Sequence, residues 1–150
     1  MNDVISIIKN SKAAYLATVD AKGRPEIRAL LNLSNPRKYK KLDGKALQQE
    51  GETLIMYFTT NTSSKKVSRI RNNNNVALYF CEPSLFRGVC VSGTMEEVTD
   101  TALKESFWQR GWTMYYPKGK TDPDYALLKF TSTQIEGWYN FGSHSFGEQE

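Results

Sequence analysis

Alternating hydrophobic and polar positions dominate the chain and predict a mainly β protein. Short stretches rich in β-branched and aromatic residues are separated by Gly, Pro, Asn and Asp, a pattern typical of strands joined by tight turns. The predicted strands cover residues 13–19, 25–33, 53–60, 76–81, 87–98 and 125–139. Because β-α-β alternation does not occur, we expect a six-stranded antiparallel barrel, with a bulge in the fifth strand and a break in the sixth near residues 132–134.

Helical spacing of apolar residues is confined to three short segments. The first lies at the N-terminus and is expected to begin with Asn2 or Asp3 as its cap. The second is predicted over residues 64–72, where a run of asparagines ends it, and Asp100 predicts the cap of a third over residues 101–110. The sequence therefore predicts a barrel decorated by short helices.

Two longer segments lack a strand pattern. Residues 35–51 are polar and turn-rich, so we expect an exposed excursion with a helical turn at 46–49, and residues 111–124 form a loop rich in Gly, Pro and Asp. A chain of 150 residues suits one domain, predicted over 1–150, with enough core to fold without disulfides.

The start of the second helix carries the strongest chemical signal. The strand ending near Thr60 runs into a cluster of hydroxyl residues, in which Ser63 or Ser64 is the expected N-cap. Lys65 and Lys66 then fall in the first turn, where the helix dipole disfavours a cation by about 0.3 to 1 kcal/mol. A bound phosphate would reverse this effect, because hydroxyls, free N–H groups and ammoniums all donate to it. The alternative is that the lysines point into water and the serines only cap.

A further cation lies inside a predicted strand. Arg28 interrupts the apolar pattern of residues 25–31 and is long enough to reach a phosphate held by the next helix. The alternative is a surface arginine on the solvent face of a hairpin.

Side chains that commonly carry catalysis are scarce. His144 is the only histidine and falls in a Gly/Ser-rich tail expected to be exposed, which excludes a His-based triad. Cys81 and Cys90 lie in predicted strands without CxxC spacing, and we expect them to be buried thiols. Asp122 and Asp124 lie in a predicted loop and are interpreted as charges exposed to solvent. Neither a dinucleotide fingerprint nor a phosphate-binding GxxxxGK[ST] loop occurs, so an enzyme of this sequence would depend on a bound cofactor.

The overall charge and hydropathy narrow the range of partners. A formal charge of +4 favours anionic ligands but falls short of a nucleic-acid signature. The basic run at residues 37–41 suggests a single-strand nucleic-acid module, although solvated charge in a loop explains it as well. Because we find no targeting pattern and no apolar run of membrane-spanning length, we expect a cytoplasmic protein that binds neither membrane nor nucleic acid.

Several motifs, taken in order, resemble those of the pyridoxamine-phosphate-oxidase-like split-barrel proteins, which include the general-stress and nitroimidazole-resistance types. Residues 15–20 with Gly23-Arg24-Pro25 resemble the opening hairpin of that family. Thr59-Thr60 followed by Ser64-Lys65-Lys66 resembles its strand-to-helix phosphate clasp, and residues 111–125 resemble its late loop.

This resemblance implies one FMN per protomer, in a cleft between the two chains of a homodimer. It implies phosphate contacts from Arg28, Ser64, Lys65 and Lys66. It also implies that the ribityl chain and ring edge are lined by Ala29, Leu30, Leu31, Thr59 and Thr60. The implied activity is an FMN-dependent oxidoreductase that passes electrons from NAD(P)H or another donor to a small organic acceptor. The alternative is a flavin-binding stress or storage protein without turnover.

Three departures separate the chain from the true vitamin B6 oxidases. Arg87-Gly88-Val89 has glycine where those enzymes carry glutamine, and residues 137–141 lack their Arg-x-His pattern. The segment 34–50 exceeds the usual turn and either shapes a substrate mouth or decorates the barrel. We therefore expect no pyridoxine phosphate oxidation. The aromatic residues that either stack on flavin or pack in the core or interface are Trp108, Trp112, Trp138 and Tyr139.

Overall fold

The computed structural model describes residues 1–147, so residues 148–150 of the predicted single domain lie outside it. The helices are α1 (Asn2–Asn10), α2 (Lys65–Asn72) and α3 (Thr101–Ser106). The strands are β1 (Ala13–Val19), β2 (Pro25–Leu31), β3 (Leu47–Glu50), β4 (Thr53–Asn61), β5 (Asn75–Glu82), β6 (Arg87–Glu97), β7 (Tyr125–Tyr139) and β8 (Gly142–Gly147). The predicted mainly β class is confirmed, while the predicted strand number of six is wrong, since the sheet has eight strands.

The eight strands form one antiparallel sheet that curls into a split barrel. Its order is β2-β1-β5-β6-β7-β4-β3, with β8 paired to β7. Strands β2 and β4 are not hydrogen-bonded neighbours, yet the curl of the sheet brings them into contact. The barrel is therefore open along the line between β2 and β4.

Strand β4 is buried on both of its faces. Met56 and Phe58 point into the barrel core with the buried face of α1, whereas Ile55 and Tyr57 join a second core rich in aromatic residues. A strand held from both sides is rigid, and it carries Thr59 and Thr60 to the split in a fixed position.

A bulge in β7 changes which side of the strand faces inward. Ser92 opposes Gln134 while the next residue, Gly93, opposes Ser132, so Thr133 is the extra residue. The predicted irregularity at 132–134 is confirmed as a bulge within one continuous strand of 15 residues. Because of it, Phe130 and Ile135 both point into the core although they are five residues apart.

The two strands that pattern reasoning missed are short and polar. Strand β3 was predicted as a helical turn because Leu, Gln and Glu favour helices, but pairing with β4 overrides that preference. Strand β8 was predicted as an exposed tail. It folds back on β7 through Asn140 and Phe141, which both have positive φ as a type I′ turn requires. His144 then stacks on Tyr139 with ring centroids 4.0 Å apart, so the prediction of an exposed tail histidine is wrong.

Several element ends also differ from the predictions. Helix α1 already begins at Asn2 without a side-chain cap, and α3 ends at Ser106 rather than near residue 110. Strand β2 stops at Leu31 because the amide of Asn32 turns inward and donates to the carbonyl of Ile8 at 2.7 Å.

The segment 35–51 is less exposed than predicted. Leu42 and Ala46 are fully or almost fully buried and belong to the second core, which anchors the excursion to the barrel.

Candidate functional site

A cleft of about 330 Å³ lies at the split between β2 and β4. The residues that line it are Lys12, Ala13, Ala29, Leu30, Leu31, Thr59, Thr60, Asn61, Lys66, Tyr115 and Tyr116. Six of the nine predicted site residues are among them, and the other three, Arg28, Ser64 and Lys65, lie outside the lining. The structure thus brings together residues far apart in sequence, while their role in binding stays a prediction.

Lys66 is the cation that enters the cleft. Its ammonium is partly buried and donates to the hydroxyl of Thr60 at 2.9 Å. Burial lowers the pKa of Lys66, and the positive charge of Arg28 lowers it further. Both causes act against the charged ammonium, so an anion at this point would favour the charged form.

Arg28 lies beside the cleft and is held in place by its own strand pair. Its guanidinium donates to the Thr18 hydroxyl at 2.5 Å and pairs with Glu26 at 3.3 Å. Burial lowers the pKa of Arg28, and so does neighbouring Arg69, while Glu26 opposes the change. Arg69 also donates through two nitrogens to Glu26.

The site is therefore positively charged. Three cations, Arg28, Lys66 and Arg69, lie together, and Glu26 is the one carboxylate paired with them among residues 1–147. Glu26 and Arg69 did not stand out in the sequence, because nothing local shows that β2 and α2 meet.

Ser64 occupies the predicted N-cap of α2 but does not use its side chain as a cap. Its backbone is extended, and its hydroxyl oxygen is buried without a hydrogen-bond partner within residues 1–147. A buried hydroxyl left unpaired costs about 1–3 kcal/mol. A ligand oxygen at the start of α2 would remove that cost. Lys65, by contrast, is exposed.

Asp124 fixes the loop between β4 and α2. Its carboxylate accepts the side-chain amide of Asn61 at 2.6 Å and the backbone N–H of Ser63 at 2.8 Å. The hydrogen bonds from Asn61 and Ser63 lower the pKa of Asp124. Asp122, buried rather than solvated as predicted, accepts the N–H of Asp124 at 2.9 Å and so orients it.

We predict that Asp124→Ala lowers the free energy of unfolding by about 1 kcal/mol, since two donors lose their acceptor. The folded-state pKa is below the ordinary carboxyl value of 3.8, so this stability is present at neutral pH and is lost as the pH falls through the lowered pKa. Urea unfolding of wild type and variant at pH 7 and at pH 3 measures this difference in the free energy of unfolding. The outcome that would contradict the assignment is an undiminished difference between wild type and variant in acid.

Two tyrosines form the wall of the cleft opposite β2. Tyr116 is buried, shares a hydrogen bond of 3.0 Å with the hydroxyl of Thr59, and has a pKa raised by burial. Tyr115 is 53% exposed at the rim. Trp108 packs on Tyr116, and Trp112 packs on Trp108 in the second core, which favours the packing interpretation for both.

The described part of the chain offers few groups for metal binding or thiol chemistry. Residues 1–147 contain no cluster of three or more metal-ligating side chains, and Cys81 and Cys90 are free and partly buried. None of their helices is long and apolar enough to cross a membrane. Within the cleft, the titratable side chains are lysines and tyrosines, and the lining holds neither a carboxylate nor a histidine.

Residues 3–139 match the family described as pyridoxamine 5'-phosphate oxidase. The chain belongs to this family. A pyridoxine/pyridoxamine 5'-phosphate oxidase of Pseudomonas entomophila is 38% identical over 89 residues, which are 59% of this chain but only 34% of that enzyme. The chain therefore matches about a third of that relative's length.

Solved structures agree with the family assignment. A Clostridium acetobutylicum protein related to general stress protein 26 is 29% identical and superimposes with a TM-score of 0.76, covering 97% of this chain and 92% of that one. General stress protein 26 of Bacillus anthracis, 23% identical, has a TM-score of 0.66 and covers 91% of each chain, which supports the fold alone.

The comparisons confirm the resemblance stated from the sequence. Members of the family share a flavin-binding fold of oxidoreductase type and are typically dimers, although some bind haem or other ligands.

Proposed function

We propose that the chain binds FMN in the cleft and acts as a cytoplasmic, dimeric, FMN-dependent oxidoreductase on a small organic acceptor, with NAD(P)H or another reduced compound as donor. The observation that carries the proposal is the unpaired, buried hydroxyl of Ser64 at the start of α2, two residues before Lys66, whose ammonium lies close enough to Arg28 to be affected by its charge. A phosphate is the group that satisfies all three.

The residues present fit the phosphate end of FMN. Lys66 and Arg28 supply two positive charges against a dianion, and Ser64 supplies a hydroxyl donor. The residues proposed to hold the rest of the cofactor are Ala29, Leu30, Leu31, Thr59 and Thr60. Strand β2 ends the sheet, so the backbone groups on its outer edge remain available to a ligand.

When bound, the flavin would supply the electron transfer that no side chain of the cleft provides. The protein's own contribution is then to bind and orient. Tyr116 holds Thr59 in place, Asp124 holds the loop before α2, and Ala29, Leu30 and Leu31 give the cleft an apolar lining on the side of β2.

A second copy of the chain is the proposed partner. The outer face of the barrel carries large exposed side chains on β1, β5 and β7, among them Tyr15, Tyr79 and Trp138, with exposed fractions of 40–47%. Tyr15 and Tyr79 are directly opposed in the β1–β5 register. This face adjoins the cleft, because Tyr15 and cleft residue Ala29 are cross-strand partners. A dimer through it would enclose the cofactor.

The alternative is a flavin-binding storage protein without turnover, which the absence of a carboxylate or histidine from the cleft lining favours. Anaerobic titration of the flavin-loaded protein with NADH and NADPH separates the two. Bleaching of the flavin absorbance followed by reoxidation with nitro or quinone acceptors supports the enzyme, and flavin that neither donor reduces supports the binder.

The nucleic-acid interpretation of residues 37–41 is weakened by the position of Tyr39, the one aromatic residue of that run. Tyr39 packs on Trp112 with ring centroids 6.4 Å apart, so it is engaged within the protein. Solvated loop charge accounts for the remaining basic residues.

The visible spectrum of freshly purified protein tests the cofactor. We expect flavin absorbance, and we expect it to be lost in the double variant Ser64→Ala, Lys66→Ala. Full flavin occupancy in that variant, with the fold intact by circular dichroism, would remove the proposed site.

FMN affinity should also fall as the pH rises through the alkaline range. The charged ammonium binds the phosphate, and burial and Arg28 bring the pKa of Lys66 below its ordinary value of 10.5. Binding is therefore strongest below that lowered pKa and weakens above it as the proton is lost. Lys66→Arg, which stays charged, should flatten the profile in fluorescence titrations, and an unchanged slope in this variant would assign the titration to another group.

A further inference from the structure

Strand β8 is a free edge of the sheet. Among residues 1–147 its strand partner is β7, and no backbone-to-backbone hydrogen bond reaches its other side. Ser143 and Ser145 are exposed along this edge. The backbone groups on the outer side of β8 are therefore available to another strand.

The tight turn before β8 decides which of its backbone groups point outward. In a hairpin with a two-residue turn, the residues that flank the turn exchange both backbone hydrogen bonds, and bonded and non-bonded pairs alternate from there. Ser143, Ser145 and Gly147 therefore direct their N–H and C=O groups away from β7. Gly147 shows this direction, since its N–H donates to the carboxylate of Glu52 at 3.2 Å.

The other two edges of the sheet carry features that discourage pairing with another chain. Strand β2 contains Pro25 and the charged residues Glu26 and Arg28, and β3 has only four residues. Proline, charge and short length are the devices by which edge strands avoid association. Strand β8 has six residues, Gly142–Gly147, without proline, lysine or a carboxylate. Two copies of this edge would therefore meet without charge repulsion.

The open part of the edge has a single residue at its centre. Glu52 occupies the edge at Gly147, which leaves Gly142–Phe146 open, with His144 in the middle. Because antiparallel strands are related by a two-fold axis when they are identical, an axis at His144 would use the whole open edge in both copies.

This register also matches the side chains. It places Ser143 of one copy opposite Ser145 of the other, and both residues direct their backbone groups outward, so each such pair exchanges two hydrogen bonds. It places the ring of Phe146 opposite Gly142 of the other copy. The space beside Gly142 is open, since a Cβ there would meet nothing closer than His144 at 3.7 Å. An aromatic ring over a cross-strand glycine is a favourable pair.

We propose that β8 pairs antiparallel with β8 of a second copy, about a two-fold axis at His144, and so joins two sheets into one. This contact is separate from the proposed dimer face, because it uses the backbone edge of β8 and not the side chains on the outer face of the barrel. FMN takes no part in it. Since two short strands make a small interface, we expect association beyond the dimer at high protein concentration.

Sedimentation equilibrium of the full chain over a concentration series tests the pairing. Ser145→Pro removes an outward N–H and leaves the hydrogen bonds between β7 and β8 in place. We expect the dissociation constant of the species larger than the dimer to rise by about tenfold or more, with FMN affinity unchanged. Ser145→Ala, which keeps the backbone N–H, is the matched control and should associate like wild type.

The outcomes also separate this contact from the proposed dimer face. Wild-type protein without species beyond the dimer, or equal dissociation constants in wild type and Ser145→Pro, would overturn the pairing of β8. Monomers in Ser145→Pro together with intact dimers in Tyr79→Glu would support it and contradict the outer-face dimer.

A cross-linking experiment tests the register without weakening the strand. An axis at His144 puts this residue opposite itself in a non-hydrogen-bonded pair, with Cα atoms about 4.5 Å apart, which a disulfide can span. With Cys81 and Cys90 replaced by serine, mild oxidation should link two chains of His144→Cys. Ser143→Cys should stay largely unlinked, since Ser143 faces Ser145. Equal linking of the two variants, or none in His144→Cys, would overturn the proposed register.

Discussion

Replacing Lys66 by methionine is expected to weaken FMN binding by about ten- to a hundredfold while leaving riboflavin binding nearly unchanged. A hydrogen bond to a charged group contributes about 1.5–3 kcal/mol, and only the phosphate ester offers Lys66 an anionic partner. Methionine keeps the length and apolar character of the stem, so the packing of α2 should persist.

Quenching of flavin fluorescence with the two ligands measures this difference directly. Lys40→Met is the control, since Lys40 is an exposed lysine that, unlike Lys66, does not line the cleft. An equal loss of FMN and riboflavin affinity would point to damage of the whole cleft, and unchanged FMN affinity would mean that the phosphate lies elsewhere.

Introducing a charge on the outer barrel face should separate the subunits. In Tyr79→Glu, a carboxylate would replace a half-exposed ring in the middle of the proposed dimer face. Burying an unpaired charge costs several kcal/mol, so we expect the dimer dissociation constant to rise by about a hundredfold or more. Sedimentation equilibrium over a concentration series measures the dissociation constant, and FMN occupancy should fall in parallel if, as proposed, the second subunit closes the cleft.

The matched control is Met114→Glu, which places the same charge at a methionine that is 80% exposed and lies in the loop before Tyr115 rather than on the strands of this face. It should leave the association state unchanged. If Tyr79→Glu keeps the wild-type dissociation constant while Met114→Glu raises it, the subunits meet through the wall of the cleft instead.

Local sequence was sufficient for the parts of the fold with strong local signals. The alternating strands, the Ser64 cap position and the Asp100 cap, whose carboxylate accepts the N–H of Leu103 at 3.1 Å, were all predictable. Strand β3 was not, because its residues favour a helix and only pairing with β4 makes them extended. Strand β8 was not predictable either, because its polar residues become a strand only through pairing with β7.

In the site, too, some features follow from local sequence and others depend on contacts between distant residues. The cluster of hydroxyls and lysines before α2 pointed to an anion from residue chemistry alone. The contributions of Glu26, Tyr116 and Asp124 depend on contacts between residues 43 to 63 positions apart, which no local pattern contains. Asp124 is the instructive case: a loop carboxylate before a strand is normally solvated, and only the folded chain shows that it fixes the entrance to α2.

The extra residue in β7 has a consequence for how the molecule tolerates change. Before Thr133, the even-numbered residues Leu128 and Phe130 face the core. After it, the odd-numbered residues Ile135 and Tyr139 face the same core. Deleting Thr133 would shift the pairing of the residues after it by one position. Trp138 would then face the core and Tyr139 the outside. One extra residue thus keeps the same face of β7 turned to the core along its whole length, so a substitution at position 133 should be tolerated far better than its deletion.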